Sequence, residues 1–326
     1  MFKYLPNIIK NKLPPFLHGG KKKLVVPFIR MEGTIQAGAS GGPGGNTRIN
    51  LNRFNPLLEK AFKSKAPAVV LVINSPGGSP VQSSLIYKQL VNLKHKHNKK
   101  LHIFVEDVCA SGGMYIAAAG DDIIVDESSI VGSVGVISQT FGAKELIDKV
   151  GLEPRLLTAG RVKSQNNMFE DVKVEDQKRT QTIISNLHTN FIDIVKEGRK
   201  DKLNYDLAMQ FAKEANDEID VSKGDGLFDG SYYEGNRAVM VGFADEIAQS
   251  SMENWLQEKY GGTEKGDDDQ EINVVAKQIK SPGFPSFLPF SSNMMINMDG
   301  VADQVADSLC EKVKDDMIWS KYKIMA

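Results

Sequence analysis

The fold is decided by residues 68–120, AVVLVINSPGGSPVQSSLIYKQLVNLKHKHNKKLHIFVEDVCASGGMYIAAAG. Residues 68–73 are all apolar, which is typical of a strand buried on both faces. The turn NSPGGS follows, then a helix over 81–96, a second strand LHIFVEDV and a short helix of small residues. Strands that alternate with helices in this way favour an α/β fold with a mostly parallel sheet.

The alternation continues on both sides of this stretch. Before it, LVVPFIRMEGTI (24–35) predicts a strand, the glycine-dense residues 37–50 a flexible loop, and LNRFNPLLEKAFKS (51–64) a helix. After it, DDIIVD predicts a short strand, VGVI a second apolar segment, and RLLTAGRVKSQNNMF (155–169) a strand that leaves into a polar loop. These segments extend the α/β pattern in both directions.

The later part of the chain is predicted to be mainly helical. Residues 175–200 carry apolar side chains four apart, which is typical of an amphipathic helix whose stripe faces the core or another copy of the chain. Tyr205–Ala215 predicts another helix, and RAVMVGFADEI (237–247) a helix that turns into a strand. Beyond about residue 260 the chain has the charged, proline-rich composition of a linker.

We therefore divide the chain into four parts. An N-terminal arm is expected at 1–23, a main domain at 24–250, a linker at 251–297 and a C-terminal helix at 298–326.

Composition argues against several classes of function. The formal net charge of the 326 residues is -1, so no excess of basic residues indicates a nucleic-acid partner. Cys109 and Cys310 lie far apart and predict neither a disulfide framework nor a metal cluster, and the histidines lack metal-ligand spacing. We expect no metal and no cofactor.

Membrane and targeting signals are weak. No stretch approaches the roughly 18 uninterrupted apolar residues of a membrane span, so no transmembrane helix is expected. The N-terminal arm is basic and lacks acidic residues, but prolines interrupt it and its apolar runs are short for a signal peptide. It fits an organelle-targeting or membrane-surface segment as well as a plain disordered arm, so the compartment stays open.

The turn NSPGGS brings two glycines to the end of a buried strand. Gly77 and Gly78 allow backbone N–H groups to approach a ligand closely. A phosphate site is disfavoured because the lysine and hydroxyl of GxxxxGK[ST] are absent, as is GxGxxG. The alternative is an oxyanion hole, in which such donors stabilise charge that develops on a carbonyl oxygen.

Ser111 follows the second strand and opens a helix that begins with two glycines. Gly112 and Gly113 each cost about 1 kcal/mol inside a helix, which indicates that something approaches them closely. Ser111 is therefore a candidate nucleophile, although the local sequence slightly favours a plain helix N-cap, a role that serine fills well. A serine nucleophile requires a base, and no histidine is an obvious candidate. A lysine with a depressed pKa can replace it, but spacing alone does not select one.

Four strings, NSPGG, ASGGMYIAAAGD, GSVGV and GRVKS, occur here in this order. Together they resemble the signal peptide peptidase A family of Ser/Lys peptidases, in the short single-domain type, over residues 24–250. The resemblance implies a Clp-protease-like, crotonase-related fold. It also implies a serine endopeptidase that hydrolyses extended, apolar peptides, such as signal-peptide remnants or fragments of membrane and misfolded proteins.

The resemblance also assigns roles to individual residues. It implies that Ser111 is the nucleophile, Lys163 the general base, and Ser133 a supporting serine that orients the lysine. The backbone N–H groups of Gly78 and Gly112 are implied as the oxyanion donors. Members of the family form homo-oligomeric rings, so a homo-oligomeric ring is expected here. The expected partner is a peptide or protein substrate. The family's membrane-spanning N-terminal helix is absent, so membrane association stays open, and its GLVD element appears as GFAD (242–245).

Two other functions compete with this interpretation. A crotonase-type enzyme that acts on acyl-thioesters would use similar oxyanion donors, but it requires an adenine pocket and usually glutamate acid/base groups. A non-catalytic relative that keeps only the ring is the second alternative. The retention of Ser111, Ser133 and Lys163 together argues against it.

Overall fold

The structure is a computed structural model that describes residues 22–38, 48–215, 226–264, 270–280 and 324–325. Its helices are α1 (Leu51–Phe62), α2 (Pro80–His97), α3 (Gly112–Ala117), α4 (Lys144–Lys149), α5 (Val174–Arg199), α6 (Tyr205–Ala215), α7 (Gly235–Met240) and α8 (Met252–Tyr260). Its strands are β1 (Lys22–Glu32), β2 (Ala68–Ser75), β3 (Lys100–Ala110), β4 (Asp122–Val125), β5 (Ile130–Gly132), β6 (Ile137–Ser138), β7 (Tyr232–Glu234), β8 (Glu246–Ile247), β9 (Gly262–Glu264), β10 (Gln270–Gln278) and β11 (Ile324–Met325).

Within the described ranges, nine strands form one sheet. Seven follow in the order β7-β5-β3-β2-β1-β10-β9, while β4 pairs with β3 and β8 pairs with β4. Pairing is parallel except at β5–β7 and β10–β9. β3 pairs with β4 through its first half and with β5 through its last residues. The predicted α/β class with a mostly parallel sheet is confirmed.

The continuous apolar run of β2 is explained by packing on both sides of the sheet. Val69, Leu71 and Ile73 belong to the larger core beneath α1, α2 and α3. Val70 and Val72 face the opposite side, where they join a smaller core that includes Leu256 of α8. Because the side chains of a strand alternate between faces, only a strand covered on both sides can be apolar at every position.

The range expected to be a linker, 251–297, contains regular structure. Strand β10 pairs with β1 in parallel over Lys22–Phe28, and α8 packs on the smaller core. Sequence analysis missed this strand because EINVVAKQ is short and flanked by charged residues, and its partner lies some 250 positions earlier. The division into domains stays a prediction, and the predicted helix 298–326 lies outside the described residues apart from β11.

The strand predicted in RLLTAGRVKSQNNMF is absent. Residues 155–169 contain no strand, and the segment that precedes the turn at 161–166 has no regular structure. Leu157 is 99% exposed there, and no strand of the described residues pairs with the segment. The amphipathic helix is confirmed as α5, although its stripe is buried only at the end that carries Phe191 and Val195, while Ile183 is 47% exposed.

Residues 242–245, the sequence GFAD, connect helix α5 to the sheet through hydrogen bonds. Arg199, at the end of α5, is almost fully buried and donates through Nε to the carbonyl of Gly242 (2.8 Å) and through Nη1 to Asp245 (2.8 Å). The carboxylate of Asp245 also accepts from the N–H of Ile123 in β4 (2.7 Å). Burial raises the pKa of Asp245, but the hydrogen bonds and charges of Arg199 and Lys202 outweigh it and leave the pKa below its ordinary value.

Among the described residues, no helix has the length and the apolar character needed to span a membrane. The glycine-dense loop lies outside the described residues from 39 to 47, and so do the N-terminal residues 1–21.

Candidate active site

Three neighbouring parallel strands end at the same edge of the sheet, and each carries predicted site residues in the loop that follows it. Gly77 and Gly78 follow β2, Ser111 and Gly112 follow β3, and Ser133 follows β5. Loops at the carboxyl ends of parallel strands are the usual place for ligands in α/β folds, because the strands hold these loops side by side. The structure therefore brings four of the five predicted residues to one place.

Ser111 is almost fully buried, although its backbone adopts a turn conformation with positive φ. Its φ is 51° and its ψ is -121°, although the residue is only 6% exposed. Its N–H donates to the carbonyl of Gly132 (2.8 Å), which fixes the turn against β5. Positive φ is unfavourable for a residue with a Cβ, and residues strained in this way cluster at active sites.

The hydroxyl of Ser111 does not cap the helix that it precedes. Its side chain makes no capping hydrogen bond to α3, and Oγ is buried without a partner among the described residues. A purely structural serine at this position would be expected to satisfy its hydroxyl. The N-cap alternative left open by the sequence is therefore not supported.

The glycines around Ser111 are needed because the two loops touch. A Cβ on Gly77 would lie 2.7 Å from Cβ of Ser111, and one on Gly112 would lie 2.4 Å from Oγ of Ser83 and 3.3 Å from the nitrogen of Gly78. Neither contact leaves room for a methyl group. The two loops are thus held so close that the nitrogens of Gly78 and Gly112 are neighbours.

The N–H groups of Gly78 and Gly112 have no acceptor among the described residues. Gly112 is the first residue of α3, and the first N–H groups of a helix have no partner within it. Next to Gly78, the N–H of Ile35 donates to the carbonyl of Gly77, and the carbonyl of Ile35 accepts from the N–H of Ser79. Neither bond uses the N–H of Gly78. Two adjacent donors beside a buried hydroxyl are the arrangement that an oxyanion hole requires.

Ser133 lies beside Ser111 on the neighbouring strand. Its N–H donates to the carbonyl of Ser231 (2.7 Å), and its φ of 53° turns the chain sharply away from β5. The next residue, Val134, is buried, and its carbonyl is hydrogen-bonded to Nε2 of His188 in α5 (3.0 Å). Helix α5 thus supports the loop that carries Ser133.

Lys163 is not brought to these residues. It is exposed in the turn 161–166, and its side chain makes no hydrogen bond or ion pair with a described residue. Gln165 and Asn166 attach the turn to Thr180 of α5. Thr180 lies eight positions before His188, about 12 Å along the helix, so the turn is well separated from Ser133. The role of Lys163 stays a prediction.

Other titratable groups are poor substitutes for a catalytic base or nucleophile at this site. Cys109 is close in sequence, but burial raises the pKa of its thiol to about 12. His102 stands at the beginning of β3, the opposite end from Ser111, where its ring contacts Asp122 and Tyr260. No group of three or more potential metal ligands occurs among the residues that the structure describes.

Sequence analysis missed residues that position the site. Ser75 accepts from the N–H of Gly77 (3.2 Å) and braces the first loop, while Ser83 packs against Gly112. His188 supports the loop after Ser133. Ser75 lies inside the NSPGG string, so the sequence could have indicated its role. No sequence pattern around Ser83 or His188 indicates that these residues approach the site.

A cavity of about 560 Å³, lined by both polar and apolar side chains, lies between residues 138–173 and α5. Its walls include Ser138 at the end of β6, Asn167 in the loop and Thr180 on α5. Of the residues discussed for catalysis, none lines this cavity, although Ser164, next to Lys163, does.

Comparison with known proteins gives a family match. A family model described as Peptidase family S49 matches residues 93–216. The Na(+)/H(+) antiporter NhaA of Brucella abortus (strain 2308) is 36% identical over 324 residues, which are 98% of this chain and 39% of that protein. Protease 4 of Haemophilus influenzae is 28% identical over 225 residues, which are 68% of this chain and 32% of that protein. The chain thus spans about a third of the length of these relatives.

Among solved structures, the 1510-N membrane-bound stomatin-specific protease is similar, with a TM-score of 0.45 and 14% identity. The match covers 80% of this chain and 99% of that one.

Proposed function

We propose that this chain, whose residues 93–216 match the model of Peptidase family S49, is a serine endopeptidase in which Ser111 is the nucleophile and Lys163 the general base. Ser133 orients the lysine, and the N–H groups of Gly78 and Gly112 stabilise the oxyanion. The substrates are extended, apolar peptides, such as signal-peptide remnants or fragments of membrane and misfolded proteins.

The observation that carries this proposal is the buried hydroxyl of Ser111. Among the described residues it has no partner, and it lies at positive φ next to two N–H groups that have no acceptor there. Burying an unsatisfied hydroxyl costs about 1–3 kcal/mol, and positive φ adds strain. A fold tolerates both at one residue when a ligand completes the arrangement.

The reaction proceeds through an acyl-enzyme. Nζ of Lys163 takes the proton of Ser111 Oγ, which bonds to the carbonyl carbon of the substrate, and the carbonyl oxygen becomes an oxyanion held by Gly78 and Gly112. The carbon–nitrogen bond breaks as Lys163 returns the proton to the leaving amine. A water molecule then loses a proton to Lys163, attacks the ester, and releases the acid as Ser111 regains its proton.

This mechanism requires Lys163 to move next to Ser111, and we attribute that step to association between copies of the chain. The arm of residues 137–174 is rich in large apolar side chains that face solvent, which is unfavourable for a monomer and typical of an interaction surface. They are Ile137, Phe141, Leu146, Val150, Leu152, Leu156, Leu157, Val162, Val172 and Val174. A homo-oligomeric ring would bury them and fix the turn of Lys163.

The edge of β6 supports binding of the substrate as an extended strand. Ile137–Ser138 pair in antiparallel fashion with Ile324–Met325 at the end of the same chain. This edge thus accepts an extended segment close to Ser133, and backbone pairing of this kind is a common way to bind peptides. A substrate would take the place of β11.

Labelling with a fluorophosphonate probe tests the proposal. The wild-type protein is expected to become labelled, Ser111→Ala to remain unlabelled, and Lys163→Ala to label far more slowly. Lys149→Ala, which removes another exposed lysine of the arm, is the matched control and should label like the wild type. Wild-type protein that resists the probe would overturn the assignment of Ser111, and equal labelling of Lys163→Ala would overturn the base.

Mixing Ser111→Ala with Lys163→Ala tests the role of association. Recovery of peptidase activity in the mixture would mean that Lys163 serves the Ser111 of a neighbouring copy, whereas no recovery would mean that it folds onto its own chain. In either case the active species is expected to elute as an oligomer in size-exclusion chromatography. A fully active monomer would contradict the assembly step.

The acyl-thioester alternative is tested by heating the protein with and without acyl-CoA. Protection by acyl-CoA together with absence of peptidase activity would favour the crotonase-type enzyme. A protein that is neither labelled nor protected would be the non-catalytic relative.

A further inference from the structure

A groove of about 500 Å³ lies away from the candidate active site, between β1, the end of α1 and the end of β10. Five lysines line it, and no acidic side chain of the described residues does. They are Lys23, Lys60, Lys65, Lys277 and Lys280. Such a concentration of one sign of charge is unexpected in a chain whose formal net charge is -1.

These five lysines are exposed, and none of them forms an ion pair with a described carboxylate. The acid nearest in sequence, Glu59, is paired with Lys63 (2.9 Å). Elsewhere on the surface several lysines are neutralised, as Lys202 is by Asp245 and Lys259 by Asp122. The positive charge of the groove is therefore available to an anionic partner.

Between the lysines the groove is apolar. Leu24, Val25, Pro27 and Ile279 line it, and Val25 is 38% exposed although it lies on a strand of the main sheet. A basic rim around an apolar floor suits a surface whose phosphates lie above hydrocarbon, because lysine ammonium groups reach the phosphates while their stems lie along apolar groups. Free phosphate would gain nothing from the apolar floor.

The sequence on either side of the groove has the same character. The chain enters β1 from residues 1–21, which contain several lysines, no acidic residue, and the aromatic residues Phe2, Tyr4 and Phe16. It leaves β10 into SPGFPSFLPF (281–290), which carries three phenylalanines and no charge. Aromatic and basic residues together are favoured where water meets a membrane.

We propose that this lysine groove binds the phosphate groups of anionic lipids and holds the protein against a membrane surface. The inference does not depend on the peptidase mechanism, because it uses none of the residues assigned to it. A lysine close to an anionic bilayer strengthens binding by about fivefold, so several lysines acting together supply a large factor that falls as salt rises.

Vesicle co-sedimentation tests this with the full chain. The wild type is expected to bind vesicles of phosphatidylcholine and phosphatidylglycerol in equal parts, to release them at high salt, and to ignore vesicles of phosphatidylcholine alone. Replacing Lys60, Lys65, Lys277 and Lys280 together by glutamine should weaken binding by roughly several hundredfold. Equal binding of the wild type to both kinds of vesicle would overturn the proposal.

A matched variant separates the groove from general charge. Lys88, Lys96, Lys149 and Lys213 are also exposed and unpaired with described carboxylates, and their replacement by glutamine changes the net charge equally. This control should bind like the wild type, and both variants should keep the wild-type thermal midpoint. Equal loss in the control would show that only net charge matters.

Two further outcomes would also overturn the groove as a lipid site. One is displacement of the vesicles by inorganic phosphate at concentrations that do not act through ionic strength, which would indicate a site for free phosphate. The other is a pair of results: removal of residues 1–21 abolishes binding, and the four-lysine groove variant binds fully. Together they would assign membrane binding to the N-terminal residues alone.

Discussion

Ser111 and Ser133 occupy equivalent positions, each one residue beyond the paired ends of two neighbouring parallel strands. Ala110 pairs with Gly132, and the next residue on each strand has a positive φ, 51° for Ser111 and 53° for Ser133. The Ser111 N–H to Gly132 carbonyl bond joins the two turns. Two strained turns side by side place two hydroxyl-bearing residues at one edge of the sheet, where a base could contact both.

This arrangement predicts how the two serines differ. Ser111→Ala removes the nucleophile and is expected to lower kcat for a fluorogenic peptide by roughly 10⁴-fold or more. Ser133→Ala should lower kcat less and leave KM nearly unchanged, because Ser133 only orients the base. Circular dichroism should show both variants folded. A Ser133→Ala variant with wild-type kcat would remove Ser133 from the mechanism.

The close approach of the two loops predicts that Gly112→Ala is damaging. The added Cβ would meet Oγ of Ser83 at 2.4 Å, and overpacking of this kind costs about 1–3 kcal/mol. The double variant Gly112→Ala/Ser83→Ala removes that oxygen and should recover part of the lost stability in denaturant unfolding. Strict additivity of the two single changes would mean that the two residues do not touch.

The pH dependence of the reaction follows from the proposed base. A lysine accepts a proton only in its neutral form, so kcat/KM should rise as pH increases toward the alkaline range. Stopped assays across the pH range, with unfolding monitored in parallel, measure this profile. A maximum at acidic pH would contradict the Ser/Lys dyad.

The ion pair between Arg199 and Asp245 predicts a large effect on stability. Asp245→Asn leaves the guanidinium of Arg199 buried without its carboxylate, and we expect a loss of about 3 kcal/mol. Because the pKa of Asp245 is lowered in the folded state, its contribution is present at neutral pH and disappears as the pH falls through the acid range. The difference between wild type and variant should therefore shrink in acid.

Asp193→Asn, which changes an exposed carboxylate on α5, is the control for that experiment and should unfold like the wild type. Urea denaturation at several pH values measures both variants. An Asp245→Asn variant as stable as the wild type at neutral pH would show that Arg199 finds another partner.

The pairing of β11 with β6 predicts that the end of the chain competes with substrate. A variant that ends at residue 320 lacks β11 and should show a lower KM for peptide substrates with kcat little changed. Steady-state kinetics measure the two parameters separately. An unchanged KM would mean that substrate does not use this edge of β6.

Much of the site was accessible from local sequence. Buried strands such as AVVLVI and the glycines after them are local patterns, and the structure places Gly78, Ser111, Gly112 and Ser133 together as expected. The sequence could not decide whether Ser111 is a helix N-cap, because the answer depends on whether its hydroxyl reaches a backbone N–H in the first turn of α3. Ser133 and Lys163 were identified only by resemblance, and the exposed turn of Lys163 leaves its role to the experiments above.

The sequence by itself determined the alternation of strands and helices from β1 to β4, the mostly parallel sheet, and the glycine turns that end β2 and β3. These features depend on interactions within a few residues, which propensity and periodicity record. The tertiary structure alone decided that β10 joins β1, that Arg199 meets Asp245, and that five lysines distributed from residue 23 to residue 280 line one groove. Such contacts join distant parts of the chain, and their partners are chosen by packing and charge in three dimensions.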